Sequence, residues 1–210
     1  MMTEVLEAIA AARLLPVVVI DDAQAAPPLA AALQRGGVRC AEITLRTPAA
    51  EAAVRAMAQD PGMLVGAGTV LNAAQAAQVI DAGARYIVTP GFSLEVVRHC
   101  QARSVPVFPG VATASELLAA LDAGIETVKF FPAEPLGGVS MLKALAAPFG
   151  MMRFIPTGGI TAANLAGYLR HPAVTAVGGS WMVAASLLKA GEFDEIARLT
   201  AEAVAIADAS

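Results

Sequence analysis

Short apolar runs alternate with longer alanine-rich amphipathic segments along the whole chain, and this alternation restricts the fold more than any other feature. A strand covered on both faces reads as a near-continuous apolar run, and a crossover helix must follow before a parallel neighbour can be laid down. Eight runs fit: Leu15 to Ile20, Cys40 to Leu45, Met63 to Ala67, Tyr86 to Thr89, Val105 to Phe108, Thr127 to Phe130, Arg153 to Pro156 and Ala173 to Val177. Helices are expected near Gln24 to Gln34, Pro48 to Gln59, Ala73 to Ala82, Ser93 to Ala102, Ala114 to Ala123, Val139 to Ala147, Ala162 to Leu169 and Val183 to Leu188. Another begins the chain and another, Phe193 to Ala207, closes it. Gly36-Gly37, Gly83 and Gly124 fall just after helices, where a left-handed cap suits glycine. Thr69, Asn72, Ser93, Thr113 and Thr161 are candidate N-caps. Eight βα units in 210 residues predict an α/β fold, a single (β/α)8 TIM barrel with an extra N-terminal helix, residues 1–210 forming one domain. An open doubly wound sheet would need eight consecutive strands, which is many.

Charge and cysteine usage exclude several function classes. Lys and Arg number 14 against 18 Asp and Glu, and no stretch gathers the basic residues, so neither nucleic acid nor an acidic membrane surface is an expected partner. Cys40 and Cys100 lie far apart without metal-ligand spacing and read as small core residues. The first residues are acidic where a leader would be basic, and the apolar run Leu14 to Ile20 is too short to span a bilayer, so a cytoplasmic location is expected. The mean hydropathy of +0.63 comes largely from alanine-rich helices and buried strands.

Polar residues at strand ends carry the chemistry, because the C-terminal strand ends of a barrel and the loops after them build its active site. In the second run Glu42, Thr44 and Arg46 alternate with Ala41, Ile43 and Leu45, which puts the three polar side chains on one face, expected to be the interior. Glu and Arg there could simply satisfy each other, but two charges cost several kcal/mol to desolvate. The sixth run holds Lys129, one of three lysines, between apolar neighbours. A snorkelling lysine would read the same way. Desolvation nevertheless favours the neutral amine, the form that attacks a carbonyl carbon to make an imine, and Glu42 could move the protons. Gly158-Gly159 after the seventh run and Gly178-Gly179 after the eighth stand where barrels hold phosphate through backbone N–H groups. His99 and His171 lie in or at the end of helices, and no catalytic metal is expected. On these residues alone three functions stay open: a Schiff-base lyase, an isomerase or epimerase with Glu42 as base, and a non-catalytic binder of a phosphorylated metabolite.

Five segments stand in order: Glu42-Ile43-Thr44-Leu45-Arg46-Thr47, Gly66-Ala67-Gly68-Thr69-Val70-Leu71-Asn72, Val128-Lys129-Phe130-Phe131-Pro132-Ala133-Glu134, Pro156-Thr157-Gly158-Gly159-Ile160 and Gly178-Gly179-Ser180-Trp181. Together they resemble the 2-keto-3-deoxy-6-phosphogluconate (KDPG) and 4-hydroxy-2-oxoglutarate (KHG) aldolases. The resemblance covers almost the whole chain. It implies a barrel in which Lys129 forms the imine and Glu42 is the general acid/base. Arg46 and Thr69 would hold the pyruvyl carboxylate, and Phe131 would pack on the pyruvyl group. Gly158, Gly159, Gly179 and Ser180 would bind phosphate, with Thr157 and Pro90 lining the site. It implies no cofactor beyond the covalent lysine imine, a small phosphorylated 2-keto acid as substrate, and a homotrimer. Aldolases for the galactonate epimer resemble this barrel but lack the Arg46 and Pro156-Thr157 pattern. Val111-Ala112-Thr113 and Arg13 depart from the family pattern and bear on substrate range.

Overall fold

The computed structural model describes residues 2–210. In chain order the elements are α1 (Met2–Ala12), β1 (Leu14–Val18), α2 (Ala26–Arg35), β2 (Cys40–Thr44), α3 (Ala50–Met57), β3 (Leu64–Gly68), α4 (Ala73–Asp81), β4 (Ile87–Val88) and α5 (Leu94–Ala102). There follow β5 (Val107–Phe108), β6 (Gly110–Val111), α6 (Ala114–Asp122), β7 (Thr127–Phe130), α7 (Gly138–Ala146), β8 (Arg153–Pro156), α8 (Ala162–Leu169), β9 (Val177–Gly179), α9 (Ala185–Ala190) and α10 (Phe193–Asp208). Every strand pair is parallel, so this is the α/β architecture the alternation predicts. One sheet runs β5-β4-β3-β2-β1-β9 and a second runs β6-β7-β8. Isolated bridges Phe154–Val174 and Thr157–Gly178 link β8 to the chain entering and forming β9.

Two strands depart from expectation, each for a local reason. The fifth run extends beyond Phe108 but is split by Pro109, which has no N–H for the ladder; its carbonyl still accepts from the Lys129 N–H at 2.9 Å. The eighth run pairs later than Ala173 to Val177: Leu14, Leu15 and Pro16 align with Val177, Gly178 and Gly179. These glycines are ladder residues because nothing larger fits. A Cβ on Gly178 would lie 2.1 Å from the Thr157 hydroxyl oxygen, and one on Gly179 1.8 Å from the Trp181 ring.

The helix ends follow the polar signals closely. Asn72, Ser93 and Thr113 accept hydrogen bonds from the first-turn N–H groups of Gln75, Val96 and Glu116, and the Thr161 N–H donates to Asn164 Oδ1 at 2.8 Å. Thr69 is not a cap; it takes a left-handed φ of 58° directly after β3. Gly37, Gly83 and Gly124 are left-handed as expected, whereas Gly36 keeps a helical φ of −77°. Arg13 lies at the start of β1, the opposite end from the predicted site, where its guanidinium donates to the Ala207 and Leu169 carbonyls. This guanidinium ties the ends of α8 and α10 to the start of β1. Thr113 likewise serves α6 as its N-cap.

Candidate active site

The inward face of β2 meets β3 in a size-matched arrangement. Glu42 is in register with Gly66 and Thr44 with Gly68. A Cβ on Gly68 would come within 2.0 Å of Glu42 Oε1, and one on Gly66 within 2.2 Å of the Tyr86 ring. The paired glycines of β3 thus make room for a carboxylate and a phenol. Tyr86 donates to the Ala41 carbonyl at 2.7 Å, and Thr44 donates to the Val18 carbonyl at 2.7 Å. Burial, followed by the proximity of Cys40 and Glu42, holds the Tyr86 phenol well above its ordinary pKa, so it stays neutral.

Into this space β7 sends Lys129. Its Nζ lies 2.9 Å from Glu42 Oε1, with side-chain exposures of 7% and 1%. Glu42 sits on the six-stranded sheet and Lys129 on the three-stranded one, so the ion pair bridges the two. Lys129 Nζ also lies 5.4 Å from the centre of the Phe131 ring. Glu42 Oε2 is buried and accepts no hydrogen bond from the described residues. An orphaned carboxylate oxygen is costly in a packed interior, and it leaves an acceptor able to exchange protons with a bound molecule.

The remaining predicted residues gather at the C-terminal ends of the parallel strands. Arg46 and Thr69 follow β2 and β3, Pro90 follows β4, Phe131 follows β7, Thr157, Gly158 and Gly159 follow β8, and Gly179 and Ser180 close β9. This is the edge where open and closed parallel sheets bind ligands. Arg46 does not share the interior with Glu42. The chain leaves β2 at Thr44 and turns, so the two-residue alternation stops, and the exposed guanidinium makes no hydrogen bond or ion pair among the described residues. Glu42 Oε1 pairs with Lys129 instead. Gly158 and Gly159 have φ of 104° and 80°, and the buried Thr157 lies beside Gly178.

Three contributors escape a reading of the strand pattern. Thr89 is buried, donates to the Gly91 carbonyl at 2.6 Å and accepts from the Gly110 N–H at 3.3 Å, which shapes the turn at Pro90. Its hydroxyl at the end of an apolar run was the available signal. Glu134 and Tyr168 pair behind the Gly158-Gly159 loop, and their separation in sequence leaves no such signal. His99 and His171 take no part, and among the described residues no three His, Cys, Asp or Glu side chains group to hold a metal. A cavity of about 630 Å³ lies at the opposite strand ends, between Leu6, Val105, Pro106, Glu126 and Thr127, away from the Lys–Glu pair.

A parallel α/β sheet system with a buried amine–carboxylate pair and glycine turns at its C-terminal edge defines a protein equipped for imine chemistry on a small anionic substrate. The family profile for KDPG and KHG aldolases matches residues 5–199, and the chain belongs to that family. It is 48% identical over 206 residues to the 2-dehydro-3-deoxy-phosphogluconate aldolase of Treponema pallidum, covering 98% of both chains. Its fold superposes with a TM-score of 0.91 on the KDPG aldolase of Zymomonas mobilis ZM4 solved with 3-phosphoglycerate, at 41% identity over 98% of this chain and 97% of the other. The KDPG aldolase of Legionella pneumophila, with pyruvate captured at low pH as a covalent carbinolamine, gives a TM-score of 0.90 at 41% identity over 94% and 96%.

Proposed function

We propose that this chain is a class I aldolase that cleaves 2-dehydro-3-deoxy-6-phosphogluconate to pyruvate and glyceraldehyde 3-phosphate through an imine on Lys129, and that it also accepts 4-hydroxy-2-oxoglutarate. The observation that carries the reading is the buried Lys129 amine held 2.9 Å from Glu42 Oε1. The amine attacks the C2 carbonyl, Glu42 moves the protons that expel water from the carbinolamine, and the protonated imine results. As the C4 hydroxyl gives up its proton, the C3–C4 electron pair flows into the imine, so an enamine forms in place of a bare carbanion. Protonation at C3 and hydrolysis release pyruvate and the free lysine. The carbinolamine of the Legionella relative supports the first step, and the lysine supplies the electron sink without a separate cofactor.

Arg46, free of other partners among the described residues and next to the strand end, is assigned to the substrate carboxylate together with Thr69, while Phe131 packs on the pyruvyl group. Gly158, Gly159, Gly179 and Ser180 take the phosphate, with Thr157 and Pro90 as walls. The linkage of β8 to β9 and the single proline between β5 and β6 support closure of both sheets into one (β/α)8 barrel, residues 1–210 as one domain and α1 as the extra N-terminal helix. A phosphorylated sugar acid does not cross a bilayer unaided, which supports a cytoplasmic enzyme; no helix among the described residues is long and apolar enough to cross a membrane. Leu71, Leu94 and Leu118, exposed on three successive βα units, support self-association as a homotrimer, which sedimentation would test.

Borohydride reduction in the presence of pyruvate, followed by peptide mass analysis, tests the chemistry. A pyruvyl adduct on Lys129 is expected. Active enzyme with an unmodified Lys129 would instead point to an isomerase using Glu42 as base.

A further inference from the structure

The loop after β8 does not stand alone. Two main-chain bonds tie it to the loop after β7: the Ala133 N–H donates to the Thr157 carbonyl at 2.8 Å and the Glu134 N–H to the Gly158 carbonyl at 3.0 Å. Glu134 is packed so closely on the glycines that a Cβ on Gly159 would lie 2.7 Å from its own Cβ. The Glu134 side chain leaves the main chain beside this turn, and a carboxylate swung over the N–H groups of Gly158 and Gly159 would compete for them, since any anion satisfies such donors. The Glu134 carboxylate is turned away. Its Oε1 accepts a hydrogen bond from the hydroxyl of Tyr168, a fully buried side chain on α8. Gly138 leaves the space for this pair: a Cβ there would lie 3.0 Å from Glu134 Oε1 and 3.3 Å from the Tyr168 hydroxyl. Burial and then the Glu134 contact hold the Tyr168 phenol above its ordinary pKa, so it remains a donor.

We propose that Tyr168 is a positioning residue that holds the Glu134 carboxylate off the Gly158–Gly159 turn, keeping that turn open to the substrate phosphate. The proposal rests on the assignment of the phosphate to this turn. Neither side chain touches the reacting atoms, so the effect belongs to binding of the phosphorylated end alone. Pyruvate, which has no phosphate, is the internal control.

The test is the KM for the phosphorylated substrate beside the half-saturating pyruvate concentration for borohydride trapping. Tyr168→Phe should raise KM about five- to tenfold, the scale of one partly exposed charge interaction, and leave kcat and pyruvate trapping unchanged. Adding Glu134→Gln should restore KM by removing the charge. Ser180→Ala separates the proposal from the assignment beneath it. A raised KM in Ser180→Ala with a normal one in Tyr168→Phe would overturn the positioning role and leave the phosphate site standing. No change in either would overturn both. A Tyr168→Phe defect that also shifts pyruvate trapping and is not rescued by Glu134→Gln would reduce Tyr168 to a packing residue. Should that variant fail to fold, Glu134→Asp on the exposed loop asks the same question, because it keeps the charge but is too short to reach the phenol. It should raise KM where Glu134→Gln does not.

Discussion

Gly68 shows how closely single residues set the chemistry. Its missing side chain is what admits Glu42 to the interior, with 2.0 Å between a would-be Cβ and Oε1. Gly68→Ala should therefore displace Glu42 and slow turnover at least tenfold with every reactive group still present, while far-UV circular dichroism stays native. Glu42→Gln, which keeps the shape and removes the proton acceptor, should slow turnover by ~2–4 orders of magnitude with the pyruvyl imine still detectable by mass. Near-normal turnover in Glu42→Gln would move the proton role elsewhere. Lys129 and Glu42 were legible in the sequence because a charge inside an apolar run has few reasons to be there. Arg46 was legible as a strand-end residue but not in its surroundings, since the two-residue alternation that placed it inside ends at Thr44. Glu134 and Tyr168, 34 positions apart, meet through the packing of two loops and a helix, which no local pattern encodes.

At the level of elements, the helices were the easiest to read and the short strands the hardest. Asn72, Ser93 and Thr113 announce their helices because a side-chain oxygen there satisfies an otherwise unpaired N–H. Thr113 is the strongest case: it accepts from the Glu116 N–H, while Glu116 Oε2 accepts from the N–H groups of Thr113 and Ala112 at 2.9 and 2.8 Å. Thr113→Ala should cost about 1 kcal/mol, measured as a lower urea midpoint at unchanged slope. The site on β7 is reached from this segment through β6, so a small loss of activity should accompany it. The strand β9 was misplaced because Gly178 and Gly179 have little strand propensity of their own; the crowding of Thr157 and Trp181 puts them in the ladder. Pro109 marks a break that run length alone conceals.

For the whole molecule, alternation identified a parallel α/β fold, and only tertiary contact revealed how its sheets meet. Cys40 and Cys100 report on that packing. Both are buried, and desolvation pushes their thiols up to about 12 and about 11 from 9.0. The unfolded chain ionises them first, so the stability associated with the neutral thiols is complete below about pH 9 and is lost as pH rises towards the folded values. At pH 8 iodoacetamide should label neither thiol in the native protein and both in urea, as counted by intact mass. Rapid native labelling would mean that the core around β2 or α5 opens locally.

The ion pair that spans the two sheets has one more implication. Carboxylate and amine come from β2 and β7, on either side of the break at Pro109, so neither half of the chain carries a working pair by itself. Separated fragments divided between Pro109 and Gly110 would be inert individually, and mixing them would regain activity in step with their association. Catalysis in this protein is thus an emergent property of assembly within one chain, and turnover serves as a gauge of whether the halves are seated together.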